Sequence, residues 1–175
     1  MSMNSQAGKL SLFAVVLLSQ LAACAPTGEP LPEGATADRI VVTKASRQLT
    51  LFAKDAALKS YTVALGRNPN GPKTQEGDNR TPEGSYVVDR RNPNSGYHLA
   101  LHVSYPNARD LEQATAAGVS AGGDIMIHGI RNGFGWVGGL HRVVDWTRGC
   151  IAVTNQEIEE IWRLVPDGTV VEIQP

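Results

Sequence analysis

Short stretches in which apolar and β-branched residues alternate with polar ones recur from Arg39 onward, and this pattern constrains the fold most. Three of them, at 39–44, 48–53 and 58–65, are separated by short polar or small-residue breaks, which favours an antiparallel meander. Four further stretches follow, at 84–89, 97–103, 124–128 and 169–173. Helical periodicity is scarce, so we expect a mainly β domain with a few short helices.

The clearest helical pattern begins just after Cys150. Thr154 and Glu157 have the spacing of a capping box, and Pro166 would end the helix. Its apolar face is formed by four residues at helical spacing, Ile158, Ile161, Trp162 and Val165. A second short helix is predicted at 108–117. The stretch 67–83 is dense in Gly, Pro, Asn and charge and predicts a long loop, a kind of segment that is often functional.

The first 23 residues have the features of a signal peptide. Lys9 is their only charged residue, an apolar run covers 10–18, and Leu-Ala-Ala-Cys ends at Cys24. The run is too short to cross a bilayer. The cysteine motif resembles the bacterial lipobox, which implies a lipidated Cys24 and, since Ala25 follows, an outer-membrane location on the periplasmic side. Ordinary secretory cleavage and an uncleaved anchor are the alternatives.

Composition supports one exported domain behind a linker. The segment 24–38 is rich in Pro, Gly and Ala and predicts a flexible tether, which leaves 39–175 as the domain. The formal net charge of the 175 residues is -1, so no basic field suggests a nucleic-acid partner. If Cys24 carries lipid, Cys150 is an unpaired thiol in an oxidising compartment, where it is either reactive or a small buried apolar residue.

A cysteine nucleophile needs a base, and the chain has four histidines. His128 ends an apolar strand and precedes a glycine, which is a favourable position for a site residue. His141 lies in 131–146, a predicted loop rich in glycine and aromatic residues that could cover the site. It is the rival of His128 and a candidate for substrate contact. His98 and His102 share a strand face and suggest zinc if a third ligand joins them. No C-x-x-C or H-E-x-x-H motif supports a metal, and we expect no cofactor.

Three ordered motifs carry a family resemblance. Residues 127–129, Ile-His-Gly, are followed by a glycine-rich stretch and then by 147–151, Thr-Arg-Gly-Cys-Ile. This order resembles the signature of the L,D-transpeptidase catalytic domain (YkuD type), in which a histidine-glycine precedes a Ser/Thr-His-Gly-Cys segment. Residues 81–86, Thr-Pro-Glu-Gly-Ser-Tyr, are similar to another family motif. The resemblance implies a β-sandwich or barrel with a helix after the catalytic cysteine.

Site roles follow from the resemblance. It implies Cys150 as nucleophile and His128 as base. The Gly129 backbone would orient the imidazole, and backbone N–H groups at Gly149 and Cys150 would hold the oxyanion. The substrate would be a peptidoglycan stem, cleaved after diaminopimelate with release of D-alanine. Arg148 is assigned to a substrate carboxylate or to an ion pair with Asp145.

The chain departs from the family pattern at two positions. Arg148 replaces the usual histidine, and Ala152 replaces the usual arginine. The interval between His128 and Cys150 is also longer, so the motif 145–153 looks like a variant branch. Trp146 and Trp136 are expected either to line the peptide groove or to pack in the interior.

Three functions stay open at this point. The first is a transpeptidase that joins stems or attaches a wall-linked protein. The second is a related hydrolase, an L,D-carboxypeptidase or wall amidase. The third is an inactive lipid-anchored wall-binding module. In each case the partners are peptidoglycan and, through the anchor, a membrane.

Overall fold

A computed structural model describes residues 34–175. The predicted signal peptide, Cys24 and most of the predicted tether lie outside these residues. Among the described residues, no helix is both long and apolar enough to span a bilayer.

Eight strands form one sheet that curls around the core, so the prediction of a mainly β fold is confirmed. In chain order they are β1 (Arg39–Thr43), β2 (Gln48–Ala53), β3 (Ala56–Thr62), β4 (Gly84–Ser95), β5 (His98–Val103), β6 (Met126–His128), β7 (Ile151–Ala152) and β8 (Val170–Gln174). Their spatial order is β3-β2-β1-β8-β4-β5-β6-β7. The predicted meander is confirmed, because β1 pairs antiparallel with β2 and β2 antiparallel with β3.

Strand β4 joins the two halves of the sheet. Its first residues pair with β8 and the rest pair with β5, with register shifts after Val88 and Asn92. Such bulges bend a strand and increase its twist. The strand is longer than predicted because it continues through Arg90–Ser95, a polar run containing Pro93 that does not alternate.

Two α-helices and one 3-10 segment complete the domain. Helix α1 (Ala108–Ala116) is capped by Asn107, and helix α2 (Asn155–Leu164) begins at the predicted capping box of Thr154 and Glu157. The 3-10 segment, Gly135–Val143, lies in the stretch predicted as a loop. Helix α2 buries Ile158, Ile161 and Leu164 against the sheet, which fixes the chain just after Cys150.

Buried polar contacts hold the long loop between β3 and β4. The ammonium group of Lys44 donates to the carbonyls of Gly71 and Thr81 at 2.6 and 3.1 Å and to Glu83 at 2.7 Å. The Lys73 ammonium forms a 2.8 Å ion pair with Asp78, and both side chains are buried. A loop without helix or strand is thereby kept in one place beside the site.

Candidate active site

Cys150 immediately precedes β7, at the end of the sheet. Strand β7 pairs in parallel with β6, with Ile151 opposite Ile127 and Ala152 opposite His128. This pairing places the thiol beside the start of β6, where Sγ donates to the Asp124 carbonyl at 3.5 Å. The cysteine is half-buried and forms no disulfide within the part of the chain that the structure describes. The sheet therefore brings Cys150 and the β6 histidine, which are far apart in sequence, to one edge.

The His128 ring is held in one tautomer by its own backbone neighbourhood. The side chain is only 4% exposed, and Nδ1 lies 2.6 Å from the Gly129 carbonyl. A carbonyl oxygen can only accept, so Nδ1 carries the proton. In the neutral ring Nε2 is then unprotonated and able to accept a proton.

Cys150 and His128 are both uncharged at neutral pH. Burial lowers the pKa of His128 from 6.5 to about 4, although the hydrogen bond to Gly129 opposes the shift. Burial also raises the pKa of the Cys150 thiol; a backbone hydrogen bond from Met126 opposes this and the Asp124 carboxylate adds to it. A neutral thiol and a neutral imidazole therefore share the site at rest.

Thr147 braces the turn that carries the thiol. Its hydroxyl donates to the Cys150 carbonyl at 2.7 Å and accepts from the Gly149 N–H at 3.1 Å. That N–H would have to leave Thr147 before it could stabilise an oxyanion. Gly149 itself has φ +130°, and a Cβ there would lie 2.6 Å from the Arg80 carbonyl oxygen, so only glycine fits.

Gly129 is also required for close packing. A Cβ at this position would lie 2.9 Å from Asn155 Oδ1 and 3.0 Å from both Ile158 and the Tyr97 carbonyl oxygen. Its N–H reaches the carbonyls of Tyr97 and Leu99 at 3.1 and 3.2 Å. The residue thus ties the end of β6 to β5 and α2 while its carbonyl orients the histidine.

An open cleft of about 630 Å³ gives access to the pair. Cys150 and His128 both line it, together with Trp146, Thr147 and Arg148. The other lining residues are Arg67, Asn92, Ser95, Tyr97, Ala100, Gly123, Asp124, Ile125 and Met126. The mixture of backbone, polar and aromatic groups suits an extended peptide.

Aromatic rings pack around His128 and separate it from His141. Tyr97 lies with its ring centroid 4.6 Å from that of His128, and the Trp146 centroid lies 5.8 Å from it. On its other side, Trp146 donates from Nε1 to His141 Nδ1 at 3.3 Å. His141 is buried, does not line the cleft, and has its pKa lowered by burial and by Arg142. Trp136 is 81% exposed, so neither predicted role, lining the groove or interior packing, describes it.

The structure excludes one of the two alternatives predicted for Arg148. Asp145 accepts from Arg47 at 3.0 Å and from the Leu65 N–H at 2.9 Å, so the ion pair considered between Asp145 and Arg148 is wrong. Arg148 is exposed in the cleft and pairs with no carboxylate in residues 34–175. The contact is made instead by an arginine from the β1–β2 turn.

His98 and His102 each bind a separate carboxylate. Nε2 of His98 lies 2.7 Å from Glu159, and Nδ1 of His102 lies 2.5 Å from Asp89. Neither histidine lines the cleft. Within the part of the chain that the structure describes, no group of three or more His, Cys, Asp or Glu side chains is placed to hold a metal ion.

Several site residues were missed from the sequence. Tyr97 packs on the histidine, the Thr147 hydroxyl braces the turn, and Asn155 Oδ1 accepts from the Ile130 N–H at 2.9 Å. Arg67 and Asp124 also line the cleft. Asn155, the first residue of a helix that the sequence predicts, offered the clearest signal, whereas the others depend on how distant segments cross.

Comparison with known proteins identifies the family. The sequence profile of the L,D-transpeptidase catalytic domain, YkuD, matches residues 37–173. YafK of Escherichia coli strain K12 is 34% identical over 143 residues, which are 78% of this chain and 50% of YafK. YkuD of Bacillus licheniformis is 28% identical over 142 residues, covering 78% of this chain and 66% of that protein.

Solved structures share the fold. Pgp2 of Campylobacter jejuni, described as a helical cell shape determining protein, superposes with a TM-score of 0.61 at 25% identity, over 80% of this chain and 48% of Pgp2. An L,D-transpeptidase from Mycobacterium smegmatis gives a TM-score of 0.53 at 16% identity, over 79% of this chain and 59% of that one. The chain spans about half the length of YafK and of Pgp2. Because the family profile covers almost all of the described sheet and the whole cleft, the chain belongs to the L,D-transpeptidase catalytic domain family.

Proposed function

We propose that this domain is a cysteine acyltransferase that remodels peptidoglycan. It takes a stem peptide at the diaminopimelate carbonyl, releases D-alanine and passes the acyl group to an amine. The observation that carries the proposal is the placement of a half-buried thiol and an oriented, unprotonated imidazole nitrogen in one peptide-sized cleft. Cys150 is the nucleophile and His128 the base.

The first step is attack by sulfur on the amide carbonyl carbon. As the S–C bond forms, the thiol proton passes to Nε2 of His128, and the carbonyl π electrons move to oxygen. Because both groups start neutral, proton transfer accompanies the attack, and no thiolate–imidazolium pair forms beforehand. The Gly129 carbonyl, bonded to Nδ1 at 2.6 Å, stabilises the imidazolium that results.

The tetrahedral oxyanion then collapses. We assign the Cys150 N–H as its first donor, with the Gly149 N–H joining if it exchanges Thr147 for the substrate. One such donor contributes about 3 kcal/mol in hydrolases. The C–N bond breaks, His128 returns its proton to the leaving amine, and a thioester remains on Cys150.

The fate of the thioester separates transfer from hydrolysis. An amine from a second stem, or from a wall-linked protein, gives a new amide bond, whereas water gives a trimmed stem. The hydrolase is the second candidate, because Arg148 replaces the family's usual histidine and stands exposed in an open cleft, without a carboxylate partner among residues 34–175. Arg148 and Trp146 are assigned to substrate contact in either case. His141 supports Trp146, which leaves His128 as the base.

We further propose that the domain works in the periplasm, tethered through lipidated Cys24 to the outer membrane. The lipobox-like motif supports the anchor, and the family's substrate supports the compartment. Pgp2, a relative at 25% identity, is described as determining helical cell shape, which supports a role in wall remodelling and cell shape for this chain as well.

Trapping the acyl-enzyme tests the proposal. The full-length chain is mixed with a synthetic tetrapeptide stem, quenched in acid within seconds and measured by intact-protein mass spectrometry. We expect a mass increase equal to the tripeptidyl acyl group, which replaces the thiol hydrogen, on the wild type and none on Cys150→Ala. His128→Ala should form the adduct at least about a hundredfold more slowly, as expected for a lost general base. Equal adduct formation on Cys150→Ala would reject the nucleophile assignment, and a binding-only module would form no adduct on any variant.

A further inference from the structure

Three charged side chains besides the reacting pair line the cleft: Arg67, Asp124 and Arg148. Neither arginine forms an ion pair with another of residues 34–175, and both are exposed. Asp124 reaches only Arg90, at 3.8 Å, with the two side chains 86% and 61% exposed. An exposed pair of that kind contributes little, so all three charges are available to a ligand.

Arg67 and Asp124 stand on opposite sides of the thiol, and Arg148 lies on the thiol's own segment. Ala152, two residues after Cys150, exchanges 2.9 Å hydrogen bonds with Ala64 on one side and pairs with His128 of β6 on the other. The chain through Ala64 continues to Arg67, and the chain that enters β6 begins with Asp124. The segment carrying the thiol therefore runs between a cationic wall and an anionic wall.

Backbone contacts fix both walls relative to the reacting sulfur. The Arg67 N–H donates to the Thr147 carbonyl at 3.0 Å, and the Thr147 hydroxyl in turn bonds the Cys150 carbonyl. On the other side the Asp124 carbonyl accepts from Cys150 Sγ at 3.5 Å. The backbones of Arg67 and Asp124 are therefore both held against the turn that carries Cys150, although their side chains can move.

A guanidinium group such as that of Arg67 binds carboxylates in a planar fork. A lone carboxylate on the other wall is complementary to an ammonium group. The walls flank the sulfur, and this fits a ligand whose two charges lie on opposite sides of the bond that is cut. One belongs to the acyl part and the other to the leaving residue.

We propose that Arg67 binds the terminal carboxylate of the leaving residue and that Asp124 binds the side-chain ammonium of the diamino acid whose carbonyl is attacked. The inference rests on the proposed function and adds the two residues that select the stem by its charges, the carboxylate one residue beyond the scissile amide and the amine of the diamino acid. Stems extended at the carboxylate or acylated at that amine are poor donors.

The test uses three synthetic stems and the full-length chain. The first is the tetrapeptide with diaminopimelate and D-alanine, the second carries a C-terminal carboxamide, and the third has its diaminopimelate amine acetylated. The readout is kcat/KM for release of the last residue, taken as a ratio between stems so that general effects on the thiol cancel. We expect Arg67→Gln to reduce the preference for acid over carboxamide about tenfold, and Asp124→Asn to reduce the preference for free over acetylated amine about tenfold.

Matched variants far from the cleft give the reference ratios. Arg109→Gln on α1 and Asp55→Asn in the β2–β3 turn remove the same charges from exposed positions and should leave both preferences at the wild-type value. Each cleft variant should change one ratio and leave the other unchanged. Ratios that stay at the wild-type value in both cleft variants would overturn the proposal, as would a wild type without either preference.

A binding measurement keeps this inference separate from the catalytic proposal. Calorimetric titration of Cys150→Ala with the same stems should reproduce the two preferences without turnover. If Cys150→Ala binds the stems with both charge preferences but the wild type never releases D-alanine, the result would count against the catalytic proposal alone. Binding that is equal for all three stems, or absent for all three, would overturn the inference about Arg67 and Asp124.

Discussion

The buried His128 ring makes the stability of the domain depend on pH in a defined window. Its pKa falls from 6.5 to about 4 on folding, so between these pH values the unfolded chain binds a proton that the folded chain excludes. Stability is therefore full above pH 6.5 and is lost as the pH falls toward 4. At about 1.4 kcal/mol per pKa unit, the loss is about 3 kcal/mol.

Replacing His128 by Asn removes this titration while keeping an N–H donor near the Gly129 carbonyl. Urea unfolding of the full-length chain at several pH values across the window measures the effect. The wild type should lose about 3 kcal/mol more than His128→Asn between pH 6.5 and about 4. His141, also buried with a lowered pKa, is present in both proteins, so most of its contribution cancels in the comparison.

Val144→Ala, an exposed change without a titratable group, should follow the wild-type slope. If His128→Asn and wild type lose stability in parallel across this pH window, folding does not lower the pKa of His128. A neutral resting base in the mechanism would then have to be abandoned.

Three further predictions concern the turn 147–150, which carries the thiol. Gly149→Ala should destabilise the fold by about 1–3 kcal/mol in urea, because its Cβ meets backbone and φ is positive, whereas Gly123→Ala, with open space around it, should not; equal effects would refute this. Thr147→Val should lower kcat about tenfold or more and Thr147→Ser should restore it, since the hydroxyl makes both bracing bonds; a serine variant as slow as valine would contradict that role. Iodoacetamide should alkylate Cys150 with a midpoint above pH 9.0, the thiol's ordinary pKa, because burial disfavours the thiolate; a midpoint below that value would show that the site favours the thiolate instead.

Local patterns in the sequence were sufficient to predict three neighbouring strands and one helix. The strands β1, β2 and β3 and helix α2 follow from alternation, turn residues and the Thr154–Glu157 capping box. Elements that depend on distant partners were missed. Strand β7 is two residues long and exists only because β6 lies beside it, and the parallel pairing of β1 with β8 joins the two ends of the domain.

The site residues divide in the same way, into those that the sequence indicates and those that only the fold brings together. Residue type and position made Cys150 and His128 candidates, the family resemblance gave them their roles, and the fold places both in one cleft. Tyr97 and Arg67 could not, because their contacts arise where β5 and the chain after β3 cross the catalytic turn. A sequence pattern records spacing along the chain, whereas these contacts are set by strand pairing.

Product analysis on defined muropeptides tests the central claim most directly. The full-length chain, Cys150→Ala and His128→Ala are each incubated with tetrapeptide muropeptides, and the products are identified by mass spectrometry. The account predicts D-alanine release together with a dimer linked through two diaminopimelates, both dependent on Cys150. Release of D-alanine without dimer would assign the domain to the hydrolase branch. Product patterns that do not change when Cys150 is replaced would contradict the account.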